Sequence, residues 1–140
     1  MNQLNTPYGL HQNTKTKVIY IADALNHRVL SYRSNISNCT IVAGGNGPGL
    51  CPSKLRYPSA IYHDFISNDL LITNGDSHTV VRWSLDSNSC RIIAGNVSGI
   101  LGNSSTHLFT PVDVKLDPMG NMYVADRYNH RIQFFFANQN

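Results

Sequence analysis

Glutamate is missing from this chain of 140 residues, and all eight of its acidic side chains are aspartate. With good helix formers scarce and asparagine, serine and glycine abundant, strands joined by turns are expected rather than a helix bundle. Charge is thin, at 14% of residues, and the net +3 contains no run of Lys or Arg. A nucleic-acid partner is therefore neither demanded nor excluded. An apolar content of 41% still marks a globular chain, not a disordered one. No stretch approaches the roughly 20 apolar residues of a membrane span. The opening Met1-Asn-Gln-Leu has neither the charged nor the apolar region of a signal peptide. Catalytic signatures are lacking too, with no serine nucleophile elbow, no P-loop and no HExxH.

Cysteine is sparse and odd in number: Cys39, Cys51 and Cys90. None has CxxC spacing, so a zinc cluster is not expected. Cys39 and Cys90 lie 51 residues apart at equivalent repeat positions, which puts them on neighbouring repeats. A Cys39–Cys51 bridge across a short loop is one option, and small half-buried strand residues without a bridge is another. The spacing does not choose between them.

What the chain does contain is a stretch written three times. It reads Ile19-Tyr-Ile-Ala-Asp23-Ala-Leu-Asn26-His27-Arg28, then more weakly Leu71-Ile-Thr-Asn74-Gly-Asp-Ser-His78-Thr, then Met122-Tyr-Val-Ala-Asp126-Arg-Tyr-Asn129-His130-Arg131. The histidines are separated by steps of 51 and 52 residues. Each copy is a β-rich run, a short polar tip and a second β-rich run, the pattern of a hairpin. A hairpin at fixed period means a repeat architecture.

Aligned on that hairpin, more of the unit appears. Pro7, Pro58 and Pro111 stand 16, 16 and 15 residues before Asp23, Asn74 and Asp126, each opening a further strand. A fourth strand follows at Cys39-Thr-Ile-Val-Ala-Gly44 and at Cys90-Arg-Ile-Ile-Ala-Gly95. Four antiparallel strands per repeat is the blade of a β-propeller. The fold class is thus all-β, an incomplete propeller with blades at 7–44 and 58–95 and a partial blade at 111–136. Propellers close with roughly 4–8 blades. Just under three leaves a fragment of a longer chain, or half of an oligomeric ring closed by a second copy; the fragment is the expectation.

The Asp-x-x-Asn-His-Arg motif, preceded by Tyr-Ile-Ala or Tyr-Val-Ala, resembles the NHL repeat. The middle copy departs from it, with Asn74 for Asp, Ser77 for Asn and Thr79 for Arg. The resemblance implies a ring that binds proteins, peptides or RNA on one face. Related propellers include a lyase acting on peptidyl-hydroxyglycine through metal-held histidines in the channel. Fold alone does not choose among these.

The repeated set Asp23, Asn26, His27, Arg28, His78, Asp126, Asn129, His130 and Arg131 is a tempting catalytic or metal site. Ring symmetry argues otherwise. Residues repeated in every blade converge only on the innermost strand, whereas this motif spans the tip between the second and third strands. Its histidines are then too far apart to share one metal, whose bonds to His run to about 2 Å. The expected role is structural: the aspartate accepts backbone N–H bonds that close the turn, and the arginine pairs with a carboxylate. His11, His63 and His107 share no repeat phase and are expected to be solvated or satisfied in the core. Asp113 is the one unrepeated acid on an innermost strand, and its equivalent is Ala60. No catalytic residue, metal ligand or cofactor is assigned.

Binding is the better-supported expectation. In a propeller the loops entering each blade share a face with the tips between strands two and three. That rim gathers Lys54, Arg56, Tyr57, Phe109, Arg127 and Tyr128, and Arg and aromatic residues are the usual interface anchors. A protein or peptide ligand is favoured, since RNA calls for a denser basic patch. The chain is read as a non-catalytic binding scaffold. The alternative is part of a propeller lyase or hydrolase whose catalytic residues lie on other blades. Four glycosylation sequons, at Asn35, Asn38, Asn96 and Asn103, lean toward an extracellular or cell-surface glycoprotein over a cytoplasmic one.

Overall fold

A computed structural model of the chain describes residues 3–34 and 38–137. Its eleven strands form three separate antiparallel sheets. Blade 1 comprises β1 (Pro7–Gln12), β2 (Ile19–Asp23), β3 (Arg28–Tyr32) and β4 (Thr40–Gly44). Blade 2 comprises β5 (Pro58–Asp64), β6 (Asp69–Asn74), β7 (Thr79–Ser84) and β8 (Ser89–Ala94). Blade 3 has β9 (Pro111–Leu116), β10 (Met122–Asp126) and β11 (Arg131–Phe135). Strands within a blade pair in sequence order, and β1, β5 and β9 stand side by side as the innermost strands. This is propeller architecture. Among the described residues no helix is long and apolar enough to cross a membrane.

Period-2 alternation decides which side chains face which blade. Val18, Tyr20, Ala22 and Val29 of blade 1 are buried against Ile61, Leu70, Ile72, Val81 and Trp83 of blade 2. The opposite face of blade 2, with Leu71 and Val80, packs on Val114, Met122 and Val124 of blade 3. The core is therefore two inter-blade layers rather than one centre. Leu55 and Leu108, each three residues before a blade's opening proline, are wholly buried in these layers. Burying each contributes about 1.5–3 kcal/mol. Leu4, the equivalent residue before blade 1, is 41% exposed because no blade precedes it among the described residues.

The cysteines pair differently from the bridge the spacing allowed. Cys51, on the loop entering blade 2, is bonded to Cys90 on β8, with their Cα atoms 5.5 Å apart. Cys39 is left a free thiol. The physical reason is that Cys39, just before β4, and Cys90, on β8, hold equivalent repeat positions in different blades, whereas Cys51 lies on the loop entering the blade that carries Cys90. Cys51 and Cys90 both pack at the margin of the first inter-blade layer.

Candidate binding face

Each tip between a blade's second and third strands is a single 3₁₀ turn: Ala24–Asn26, Gly75–Ser77 and Arg127–Asn129. His27, His78 and His130 end these turns in the left-handed conformation, with φ of 53°, 55° and 52°. The backbone bond of each turn runs from His27 N–H to Ala24 O, His78 N–H to Gly75 O and His130 N–H to Arg127 O, each at 3.1 Å. The aspartates expected to close it do something else. Asp23 Oδ1 accepts the N–H of Asn5 at 2.7 Å, and Asp126 Oδ1 accepts that of Phe109 at 2.6 Å. Asn74 Oδ1 takes the N–H of Arg56 in blade 2. Each anchors the loop entering its own blade.

Charge is handled at the second carboxylate oxygen. Asp23 Oδ2 receives Asn26 Nδ2 at 2.9 Å and Arg28 Nε at 2.7 Å. Asp126 Oδ2 receives Asn129 Nδ2 at 2.7 Å and Arg131 Nε at 2.8 Å. Both carboxylates are fully buried. A buried charge needs its partners, and where blade 2 has neutral Asn74 it also has neutral Ser77 and Thr79. The middle copy's departures are one correlated change.

The histidines tie one blade to the next. His27 Nδ1 accepts the N–H of Tyr57, and His78 Nδ1 accepts the N–H of Thr110, both at 3.2 Å. Tyr57 and Thr110 precede the opening prolines and have φ of 53° and 51°, which turns their N–H groups toward the preceding blade. An Nδ1 acceptor is a neutral imidazole carrying its proton on Nε2. Burial, assisted by the Arg56 guanidinium, lowers the pKa of His78, against the opposing pull of Asp76 and Asp126. This role was not visible in the sequence, where the bonded pairs lie 30 and 32 positions apart.

Tips and entry loops share one face, joined by Gly75 N–H to Tyr57 O at 3.0 Å and Tyr128 N–H to Phe109 O at 3.1 Å. On that face the candidate residues fall into two connected groups. Arg56 lines a shallow cavity of about 410 Å³ with His27, Pro48, Asp76 and His78. Phe109 meets His78 edge-on at 5.6 Å and Tyr128 at 5.0 Å, and the Arg127 guanidinium sits 4.9 Å from the Tyr128 ring centre. His78 thus bridges the two groups. Tyr57 is half-buried and lies 6.4 Å from Tyr8, an aromatic that sequence reasoning missed. Lys54 is exposed, its alkyl stem against Gly49 and outside the cavity.

Outside the two groups, His63 is satisfied by Asn13 and Asn68, and His107 by Asn96 and Ser104 within the loop entering blade 3. Asp113 pairs with Lys115 at 2.5 Å in the open. Among the described residues no group of three or more His, Cys, Asp or Glu is placed to hold a metal. Of the sequons, Asn38 and Asn103 are exposed, while Asn96 is tied to His107 and Ser98. Asn35 lies outside the described residues.

The fold defines a β-propeller segment. Residues 110–135, which hold the third blade, match the NHL repeat model, and all three blades share the 3₁₀ turn ended by a left-handed histidine. No curated protein matches the chain. Among solved structures it is similar to a Bacteroides thetaiotaomicron protein of unknown function, at 15% identity and TM-score 0.82, over 97% of this chain and 37% of that one. It is also similar to an auxiliary nutrient binding protein from the same organism, at 15% identity and TM-score 0.71, over 90% and 37% of the two chains. A third is virginiamycin B lyase from Staphylococcus aureus, at 14% identity and TM-score 0.61, over 93% and 41%. At these identities the likeness is one of fold. The chain spans 37–41% of the length of these structures.

Proposed function

We propose that the chain is a non-catalytic scaffold whose loop face receives a protein or peptide. The observation that carries this reading is the continuous belt from Arg56 through His78 and Phe109 to Tyr128 and Arg127. Rings held by their neighbours lose little entropy on binding, and arginine beside an aromatic offers a cation, donors and apolar area together. The anchoring of entry loops by Asp126 and Asn74 supports a face that is organised before a ligand arrives. Basic groups on it are few and are offset by Asp76, which favours a peptide over RNA. An oxidising, extracellular setting accords with the Cys51–Cys90 bridge and the exposed sequons at Asn38 and Asn103.

The test is to pan the folded chain against a displayed random-peptide library and repeat the binding with Arg56→Ala and Tyr128→Ala variants. Enriched peptides are expected to lose about tenfold or more in affinity with each variant, about 1.4 kcal/mol. Failure to enrich any peptide overturns the reading, as does binding indifferent to both substitutions or tighter capture of an RNA pool.

A further inference from the structure

The end of the blades opposite the loop face holds a cavity of a different kind, independent of the function proposed above. β1 and β5 start at Pro7 and Pro58 beside the entry loops and finish at Gln12 and Asp64, so the turns that follow them lie at the far end. Between those two turns is a cavity of about 190 Å³. Both of its walls come from four-stranded blades.

Counted from the opening prolines, His11 and Tyr62 hold the same position on neighbouring innermost strands, and their rings meet at 5.4 Å along one side of the cavity. A position that served the fold alone would repeat one residue type. Burial, then the charges of His63 and Lys115, hold the pKa of His11 below its ordinary 6.5, so at neutral pH the imidazole is an uncharged donor. Lys115, at the same position of β9, is paired with Asp113 at 2.5 Å and brings no net charge. At the mouth, Lys15 Nζ stands 4.8 Å from the centre of the Phe65 ring, which is 59% exposed. The walls therefore hold one full charge, the Lys15 ammonium, and no carboxylate.

The turn that bears Lys15 is fixed by a chain of hydrogen bonds across the two blades. Asn13 Oδ1 accepts the N–H groups of Lys15 and Thr16 at 2.9 and 3.1 Å, which leaves its Nδ2 to donate to His63 Nδ1 at 3.1 Å. Buried His63 then carries its proton on Nε2 and donates it to Asn68 Oδ1, also at 3.1 Å. Asn68 Nδ2 is held in turn by Asp86 Oδ1 at 2.6 Å. Such a site is organised before a ligand arrives.

We propose that this cavity binds a small aromatic carboxylate, its ring against Tyr62 and Phe65 and its carboxylate at the Lys15 ammonium, with the His11 imidazole as second donor. The volume lies below the about 300–1,000 Å³ of sites for drug-sized ligands, which limits the guest to a single ring and its substituent. Tyr62 and Phe65 favour an aromatic ring through offset or edge-on contacts. A lone cation without an acid beside it matches a monoanion better than a phosphate dianion.

The experiment titrates the whole isotope-labelled chain with sodium benzoate and follows its amide resonances. Saturable, single-site shifts are expected at residues 11–15 and 62–65. Benzyl alcohol, which lacks the charge, and cyclohexanecarboxylate, which lacks the aromatic ring, should each bind about threefold or more weakly. Lys15→Gln should weaken benzoate by a similar factor and leave benzyl alcohol unchanged, and Phe65→Leu should narrow the preference for benzoate over cyclohexanecarboxylate. Both side chains are exposed, and the ligand series is measured on the unaltered chain, so the site stays testable whatever a variant does to folding. Four results overturn it: no saturable shift in those segments, benzyl alcohol binding as tightly as benzoate, phosphate moving the same amides at the same concentration, or benzoate binding indifferent to Lys15→Gln.

Discussion

His78 Nδ1 lies 3.2 Å from the backbone nitrogen of Thr110, and that bond latches the second blade to the third. His27 does the same for Tyr57 across the first junction, so a residue that looks catalytic in the sequence is a structural clasp. The clasp needs a neutral imidazole, and protonation of Nδ1 removes the acceptor.

A pH dependence follows. Burial is the leading cause that lowers the pKa of His78 from its ordinary 6.5, and burial likewise lowers that of His11. Below pH 6.5 the unfolded chain takes up protons that the folded chain refuses, so stability falls with pH through that window. Above it the stabilisation is fully present. Urea unfolding should give a level free energy above pH 6.5 and a decline below it. His78→Asn, which tolerates the left-handed turn, should flatten the decline just below pH 6.5 and leave there the part due to His11, while the loss at more acid pH, as Asp64 and Asp117 take up protons, stays. At pH 7.5 it should cost about 1 kcal/mol, one hydrogen bond. An unchanged slope would remove His78 from the account.

The buried aspartate and its arginine should behave as a unit. Asp23→Asn leaves Arg28 buried without its carboxylate, a loss of about 3–5 kcal/mol. Blade 2 shows a neutral alternative in Asn74 and Thr79, so Asp23→Asn combined with Arg28→Thr should recover part of the loss. Recovery will be incomplete, because Asn74 Nδ2 and Thr79 Oγ1 have no partner in their own blade. A double-mutant cycle by urea unfolding should give a coupling of about 1–3 kcal/mol. Additive effects would contradict the arrangement.

The repeat, its four-stranded unit and the shared face of tips and entry loops were legible because they are local patterns: alternation, turns and a fixed period. What escaped were relations between blades. That Asp126 takes the backbone N–H of Phe109 rather than one of its own turn depends on where the preceding loop passes, and no spacing states that. His27 was readable as a tip residue but not as the partner of Tyr57, 30 positions away. The partner of Cys51 was hidden for the same reason, since Cys90 approaches it only once the loop lies along blade 2.

That bridge gives a chemical prediction. Cys51 and Cys90 close a loop with a sequence separation of 39, and loops of this size are worth about 2–4 kcal/mol when cross-linked. Thiol titration of the denatured, unreduced chain should find one free group, Cys39, and reduction should raise the count to three. Cys90→Ser should destabilise by the stated amount, and Cys39→Ser by less than about 0.5 kcal/mol. Three thiols before reduction would refute the pairing.

Gly95 provides the most severe test of the repeat's backbone geometry. It closes the fourth strand of blade 2 at φ of 86°, with the His78 carbonyl oxygen where a side chain would begin, 2.3 Å from an ideal Cβ. Both problems act on any L-residue, since strain at positive φ costs about 1–3 kcal/mol and the carbonyl belongs to backbone that cannot rotate aside. Gly95→Ala should therefore destabilise by at least 2 to about 4 kcal/mol. Gly47 has nearly the same φ, 82°, but nothing within 4 Å of its would-be Cβ. Gly47→Ala isolates the strain and should cost about 1 kcal/mol. The difference between the two, measured by urea unfolding, is the contribution of the close approach to His78. Equal losses would mean that the strand end moves away freely and that the close approach contributes nothing.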